Sequence, residues 1–205
     1  ACGATLVTAP RARLVQDLPA VLREGAVSHV CSTPALWGIL PASASWNCFP
    51  ALRVVALGGE RLPSSLIKQW QPPERECAGE PKRRLLNTYG VTEATVYQTV
   101  GECRPGDRPG MVGRPLPGVV CAVAAPPGEA GEIWISGSLL ARGYLRAADL
   151  TASKFVTIPS DGRDAEGREG LTGASSCDYS DALGWLTPGR WFRTGDMGRW
   201  HGASA

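Results

Sequence analysis

The chain has 205 residues, which is enough for one sizeable domain or two small ones. Its composition is that of a globular protein, with 43% hydrophobic and 20% charged residues. The formal net charge of +2 provides no basic field, and no apolar run is long enough to cross a bilayer, so neither nucleic acid nor a membrane is an expected partner. The cysteines have no paired spacing, which favours reduced thiols in a cytoplasmic protein over a disulfide or metal framework.

Helix and strand signals alternate through the first half of the chain. Asp17 predicts a helix N-cap, with Pro19 in the first turn and Gly25 as the stop. Two further helices are expected to begin at Pro34 and Pro63. The segments typical of strands are SHVCS, LRVVALGGE and RLLNTYG, at 28–32, 52–60 and 84–90. This order of strands and helices predicts a parallel sheet covered by helices.

Short strands separated by Gly and Pro turns are typical of the second half. The segments GVVCAVAA, GEIWISG and LLARGYL predict a mostly antiparallel, β-barrel-like subdomain. Between them and the first half lies the Pro/Gly-rich connection CRPGDRPGMVGRPLPG. We therefore expect an α/β fold with a parallel α/β-layered subdomain over 1–106 and a β-rich subdomain over 107–205. Within the second, DLTASKFV predicts a short helix capped by Asp149, and the polar stretch at about 160–188 predicts a flexible insertion.

Three stretches carry groups that suit a nucleotide. The glycine pair of ALGGE ends a predicted strand, where backbone approaches ligands at the carboxyl edge of a parallel sheet. In LLNTYGVTEATVYQT, Tyr89 offers a ring for stacking, Thr92 a hydroxyl donor and Glu93 a hard oxygen ligand for magnesium. In WFRTGDMGRW, Asp196 stands at a tight turn where its carboxylate can accept from two ribose hydroxyls. Each stretch alone is also compatible with an ordinary turn.

The combination of motifs is more specific than any one of them. A glycine pair, Tyr-Gly-x-Thr-Glu, Gly-Glu-x4-Gly-x5-Gly-Tyr and Arg-Thr-Gly-Asp occur in this order along the chain. The pattern resembles the adenylate-forming superfamily, which includes acyl-CoA synthetases, luciferases and the amino-acid adenylation domains of nonribosomal peptide synthetases. The stretches NTYGVTEATVYQT, GEIWISGSLLARGYL and WFRTGD are most similar to the amino-acid adenylation branch. Val91 departs from the proline that many members have.

The resemblance implies roles for individual residues. The nucleotide-binding set would be Gly58, Gly59, Glu60, Asn87, Tyr89, Gly90, Thr92 and Asp196. Within it, Tyr89 would stack on the adenine, Thr92 would contact the α-phosphate and Asp196 would bind the ribose. Thr92 and Glu93 would be the catalytic residues, with Glu93 holding Mg²⁺. The residues lining the acid pocket would be Val55, Leu57, Thr88, Val96 and Tyr97.

The implied activity is that of an AMP-forming ligase. A substrate carboxylate would attack the α-phosphorus of ATP, and the acyl-adenylate would then be transferred to the thiol of a carrier-bound phosphopantetheine or of coenzyme A. An acyl- or aryl-CoA synthetase is one alternative, and a catalytically silent nucleotide-binding or scaffolding module is another. The amino or carboxylic acid substrate is not specified by the sequence.

Several parts of the family pattern do not occur in these 205 residues. They are the phosphate loop of the form STGxPKG, the aspartate that binds the substrate amino group, and the C-terminal lid domain with its lysine. With a start at ACGATLVTAP and an end at RWHGASA, we expect a piece of a longer protein. Its partners would be those missing parts of the same polypeptide and a possible carrier-protein domain. We expect this piece to hold half a nucleotide site and to have little or no turnover alone.

Overall fold

The computed structural model of the chain describes residues 3–72, 82–104, 106–126, 128–159 and 186–200. The contacts divide the chain into two compact units. The first comprises Ala1–Tyr89 and Thr99–Arg114, and the second comprises Gly90–Gln98 and Pro115–Ala205. The subdomain boundary expected at residue 106 stays a prediction, and nearly all of the insertion expected at 160–188 lies outside the described residues.

The first unit contains four α-helices and a mixed sheet in its described part. The helices are α1 (Arg11–Gln16), α2 (Leu18–Glu24), α3 (Pro34–Trp37) and α4 (Ser64–Trp70). The strands are β1 (His29–Ser32), β2 (Val54–Gly58), β3 (Arg84–Tyr89), β4 (Thr99–Glu102) and the short β5 (Arg114–Pro115), in the sheet order β1-β2-β3-β4-β5. The neighbours β1, β2 and β3 run parallel, which confirms the expected parallel α/β layer.

The pairing of β3 with β4 differs from the parallel pairings of the other described neighbours. β4 pairs antiparallel with β3, and Tyr89 lies opposite Thr99. The sequence pattern does not predict the strand β4. β4 runs antiparallel to β3 because the connection Gly90–Gln98 between them is short, whereas a parallel return needs a crossover of about a dozen residues or more.

An aromatic cluster anchors the core of the first unit. Trp37 of α3 and Trp70 of α4 are completely buried, with ring centroids 4.8 Å apart. Trp46 packs edge-on against Trp70, and its indole N–H donates to the Trp70 carbonyl at 3.0 Å. Val55 and Leu57 of β2 belong to the same core. Because such rings bury large apolar areas, the cluster fixes the helices on the strands that carry the candidate residues.

The second unit contains a four-stranded antiparallel sheet. Its strands are β6 (Val119–Ala124), β7 (Gly131–Gly137), β8 (Phe155–Ile158) and β9 (Gly189–Gly198), in the order β6-β7-β9-β8. One helix, α5 (Ala148–Lys154), precedes β8. The expected antiparallel second half is confirmed. Across the described residues, no helix combines the length and apolar composition that a membrane span requires.

Two local expectations in the second unit are wrong. The segment LLARGYL was expected to be a strand, but it lies in no strand, because its polar groups bond elsewhere: the Arg190 guanidinium donates to the carbonyls of Ala141 and Arg142. Asp149 was expected to cap a helix, but it lies inside the first turn of α5, whose N-cap is Ala147. By contrast, Asp17 is the N-cap of α2 as expected, and its Oδ1 accepts from the Ala20 N–H at 3.1 Å.

Candidate functional site

The candidate residues are distributed over both units, and each unit is described by itself. The first contains Val55, Leu57, Gly58, Gly59, Glu60, Asn87, Thr88 and Tyr89. The second contains Gly90, Thr92, Glu93, Val96, Tyr97 and Asp196. The assigned roles of these residues stay predictions, and the structure shows what surrounds each of them.

The ends of β2 and β3 meet side by side in the first unit. The strand register pairs Leu57 with Asn87 and Gly58 with Thr88. The Thr88 hydroxyl donates to the Leu57 carbonyl at 3.1 Å, so it is bonded to the neighbouring strand. A Cβ on Gly58 would lie 2.1 Å from Thr88 Oγ1 and 2.4 Å from its carbonyl oxygen. The close approach of the strands therefore requires glycine at position 58.

Glu60 caps a helix in this structure. Its Oε1 accepts from the Ala35 N–H at 2.8 Å, in the first turn of α3. Gly59 turns the chain towards this position with φ of +84°, a left-handed conformation suited to glycine. The sequence alone does not predict this cap, because Glu60 and Ala35 are 25 residues apart along the chain.

Three of the candidate residues in this unit have fixed surroundings. Val55 and Leu57 are completely buried in the hydrophobic core. Asn87 is buried, and its side-chain N–H donates to the Met111 carbonyl at 2.9 Å. Asn87 also lines a cavity of about 390 Å³, whose wall includes Cys103. Among the described residues, Asn87 is the one candidate residue in the wall of this cavity. The cavity therefore does not bring the candidate nucleotide-binding residues together.

Burial sets the chemistry of the thiol in this cavity wall. Burial, followed by the charge of Asp107, raises the pKa of Cys103 to about 11. A neutral thiol of this kind is a poor nucleophile, because the thiolate is the reactive form. The Cys103 thiol is therefore protonated at neutral pH.

The segment Gly90–Gln98 in the second unit carries Thr92 and Glu93. These two residues begin a single turn of 3-10 helix, Thr92–Ala94. A completely buried amide, Gln98, holds the turn: its Nε2 donates to the Ala94 carbonyl at 2.7 Å, and its Oε1 accepts from the Val91 N–H at 2.6 Å.

The positions next to this turn are tightly constrained. Thr95 and Val96 both have positive φ, 61° and 63°, which is rare for β-branched residues. Gly90 lies so close to the returning chain that a Cβ there would approach the Val96 carbonyl oxygen to 2.1 Å. Val96 is 62% exposed and Tyr97 is half-buried. The backbone at the candidate residues is thus held in a conformation that the surrounding hydrogen bonds dictate.

A hydrogen bond from a distant part of the chain orients Glu93. The Tyr144 hydroxyl donates to Glu93 Oε1 at 2.6 Å. Burial, together with this bond and the charge of Glu93, raises the pKa of Tyr144 to about 12. The phenol therefore stays protonated and remains a donor at neutral pH. Sequence reasoning had assigned no chemistry to the GEIWISGSLLARGYL stretch, which contains this tyrosine.

Glu132, from the same stretch, organises the bulge that contains Asp196. The strand register shifts between β7 and β9 at this point, so that Thr194 to Asp196 form a bulge within β9 where the sequence predicts a tight turn. Glu132 Oε1 accepts from the Gly195 N–H at 2.9 Å, and Oε2 accepts from Arg193 and from the Trp134 indole. Asp196 itself is exposed, and its N–H donates to Thr194 Oγ1.

The surroundings of Glu93 fit a magnesium ion. A carboxylate oxygen is the ligand that Mg²⁺ prefers, and Mg²⁺ commonly takes one or two carboxylates while phosphate oxygens and water complete its shell. No group of three or more His, Cys, Asp or Glu side chains with metal-binding spacing occurs among the described residues. A single carboxylate such as that of Glu93 suits an ion whose remaining ligands are phosphate oxygens and water.

Comparison with known proteins gives consistent matches. The model of a family described as AMP-binding enzyme matches residues 1–145. Novobiocin biosynthesis protein H of Streptomyces niveus is 41% identical over 165 residues, covering 77% of this chain and 25% of that protein. Phosphinothricin tripeptide synthetase PhsC of Streptomyces viridochromogenes is 38% identical over 207 residues, covering 97% of this chain and 16% of that protein. The chain thus spans a quarter or less of the length of these relatives.

A solved structure supports the fold independently. The Vibrio cholerae adenylation domain AlmE, in complex with glycyl-adenosine-5'-phosphate, matches with a TM-score of 0.59 at 22% identity. The match covers 92% of this chain and 32% of that one. At this identity the similarity establishes the fold alone.

Proposed function

The chain belongs to the AMP-binding enzyme family, and from this we propose that it forms part of an ATP-dependent ligase that activates a carboxylic acid as its acyl-adenylate. The observation that carries the proposal is the environment of Glu93. Its carboxylate is half-buried, bonded through one oxygen to Tyr144, and adjacent in sequence to the exposed hydroxyl of Thr92. A fixed carboxylate beside a hydroxyl donor suits a metal-bound phosphate chain.

The proposed reaction is a displacement at phosphorus. An oxygen of the substrate carboxylate attacks the α-phosphorus of ATP, the bond to the bridging oxygen breaks, and pyrophosphate leaves. Tyr89 stacks on the adenine, Asp196 accepts from the ribose hydroxyls, and Thr92 donates to an α-phosphate oxygen. When bound, a magnesium ion offsets the repulsion between the two anions, and Glu93 would hold it. No protein nucleophile takes part, so positioning and charge supply most of the rate enhancement.

We further propose an amino acid as the substrate and a carrier-bound phosphopantetheine thiol as the acceptor. The support is the name of the relative PhsC, a tripeptide synthetase, and the glycyl-adenosine-5'-phosphate in the AlmE structure. In the second step the thiol sulfur bonds to the acyl carbonyl carbon, the bond from that carbon to the phosphate oxygen breaks, AMP leaves, and the thiol proton is released to water. The acid pocket would be lined by Val55, Leu57, Thr88, Val96 and Tyr97. An assay that offers coenzyme A and a carrier protein in parallel separates this acceptor from that of an acyl-CoA synthetase.

Calorimetric titration with AMP tests the proposal on the full-length polypeptide that carries this chain. Tyr89→Ala and Asp196→Ala are each expected to weaken AMP binding at least tenfold, because each removes a direct contact. Glu24→Ala is the matched control, since it removes an exposed carboxylate whose partner is Arg13. If the wild type binds no AMP and the site variants behave like it, a silent module is favoured and the proposal fails. If the wild type binds AMP but both site variants bind like the control, the roles given to Tyr89 and Asp196 are refuted. ATP–pyrophosphate exchange with mixed amino acids then checks the adenylation step.

A further inference from the structure

The bond between Tyr144 and Glu93 joins two motifs that are 51 residues apart. At 2.6 Å the O···O distance is within the range of hydrogen bonds from a hydroxyl to an ionised carboxylate, about 2.5–2.7 Å. Such bonds are roughly twice as strong as those between neutral groups. The contact is therefore strong enough to select one orientation of the Glu93 side chain.

The Tyr144 side chain is itself held in place. Its ring packs edge-on against Phe155 at a centroid distance of 5.8 Å, and its backbone N–H donates to Thr151 Oγ1 at 2.9 Å. Phe155 in turn packs against Phe192, and the Arg190 guanidinium lies 4.4 Å from the Phe155 ring centre. The packing of these rings thus fixes the position of the Tyr144 hydroxyl.

The same segment also fixes the backbone beside Glu93. The Ala141 N–H donates to the Glu93 carbonyl at 2.6 Å, and the Thr95 hydroxyl donates to the Leu139 carbonyl at 3.0 Å. Residues 139–144 therefore determine both where the Glu93 backbone lies and how its carboxylate points.

The two oxygens of the carboxylate have different surroundings. Oε1 accepts from Tyr144, whereas Oε2 accepts no hydrogen bond among the described residues. Carboxylates that ligate metals are typically oriented by outer hydrogen bonds, and loss of such a partner lowers metal affinity about 10–100-fold. We propose that Tyr144 is a positioning residue for Glu93: its hydroxyl engages Oε1 and directs Oε2 to the cation of the metal–nucleotide complex. This inference rests on the function proposed above.

Metal binding without turnover is the appropriate readout. Mn²⁺, which takes the same oxygen ligands as Mg²⁺, is titrated into the full-length polypeptide with α,β-methylene-ATP and followed by electron paramagnetic resonance. Tyr144→Phe is expected to raise the Mn²⁺ dissociation constant about 10–100-fold. The phenylalanine ring keeps the contact with Phe155, and circular dichroism verifies the fold. Ser136→Ala is the matched control, because it also removes a hydroxyl bond, one of 2.7 Å to the Arg190 carbonyl.

A double-mutant cycle separates positioning from a purely structural role. In a Glu93→Gln background, Tyr144→Phe is expected to raise the dissociation constant no further, because the oriented carboxylate is already absent. A second variant, Thr151→Val, keeps the phenol but removes the acceptor of the Tyr144 N–H, and a smaller rise is expected.

Failure of the inference is distinguishable from failure of the proposed function. If Glu93→Gln loses Mn²⁺ affinity while Tyr144→Phe and Thr151→Val bind like Ser136→Ala, Tyr144 has no positioning role. If Glu93→Gln also binds Mn²⁺ like the wild type, Glu93 is not the metal ligand, and both the inference and the metal role in the proposed function are refuted.

Discussion

Replacing Glu132 by glutamine tests how the bulge that contains Asp196 is held. The carboxylate accepts from Arg193 Nε at 3.2 Å, from the Trp134 indole at 3.1 Å and from the Gly195 N–H at 2.9 Å. Glutamine has the same shape but only one acceptor oxygen. Glu132→Gln therefore leaves either the Gly195 N–H or the Arg193 and Trp134 donors facing an NH₂ group.

The expected loss of stability follows from the burial of the pair. The side chains of Glu132 and Arg193 are 13% and 25% exposed. Each hydrogen bond to a charged group contributes about 1.5–3 kcal/mol, and breaking a fully buried pair costs about 3–5 kcal/mol. With partial exposure, we expect Glu132→Gln to lower the free energy of unfolding by about 2–3 kcal/mol.

Urea unfolding followed by circular dichroism measures this loss. Glu102→Gln is the matched control: its carboxylate has one ion-pair contact, with Arg84 at 3.3 Å, and the Arg84 side chain is 45% exposed. The control should lose less than about 1 kcal/mol. Because Gly195 precedes Asp196, Glu132→Gln should also weaken AMP binding, about fivefold for each kcal/mol of lost ordering. Equal stability losses in the two variants would refute the reasoning.

Three further changes probe single features of the structure. Gly58→Ala should lower stability by about 1–3 kcal/mol in urea unfolding, because the new methyl group would lie 2.1 Å from Thr88 Oγ1. Gln98→Leu should lower it by about 2–4 kcal/mol, because the partly buried Val91 N–H and the buried Ala94 carbonyl lose their partner; an unchanged urea midpoint would contradict this. The pKa of Cys103 rises on folding from 9.0 to about 11, so the unfolded state ionises first and stability should fall as pH rises from 9 to 11. Cys103→Ala should show a smaller decline over that interval, and an identical pH dependence would exclude the thiol as its source.

Local signals predicted the parallel half of the fold correctly. The capping aspartate of α2 and the β-branched run of β2 each depend on neighbours within a few residues, so the sequence alone shows them. The non-strand segment 139–145 depends on partners far along the chain, whereas β4 depends on its pairing with β3 across the short connection Gly90–Gln98. Arg190, for example, bonds to Ala141 and Arg142 about fifty residues earlier, and no local pattern reveals that pairing.

The candidate site is likewise divided between residues that local signals identify and residues that they do not. The motif residues Tyr89, Thr92, Glu93 and Asp196 could be singled out because their chemistry is evident from residue type and spacing, and their roles stay predictions. Gln98, Glu132 and Tyr144 could not be assigned a function in this way. The one available signal was Gln98, a polar residue inside the β-branched and aromatic run ATVYQT.

The residues without an assigned chemistry explain how the others keep their positions. Thr92 and Asp196 are exposed, so packing alone does not fix them. Their backbones are held instead by buried or half-buried polar side chains: Gln98 spans the turn containing Thr92, and Glu132 binds the N–H next to Asp196. A buried polar group costs free energy unless its hydrogen bonds are made. Each of these two hydrogen-bond networks is therefore compatible with essentially one backbone arrangement. The precision that a reaction at phosphorus demands thus depends on residues that need not contact the nucleotide.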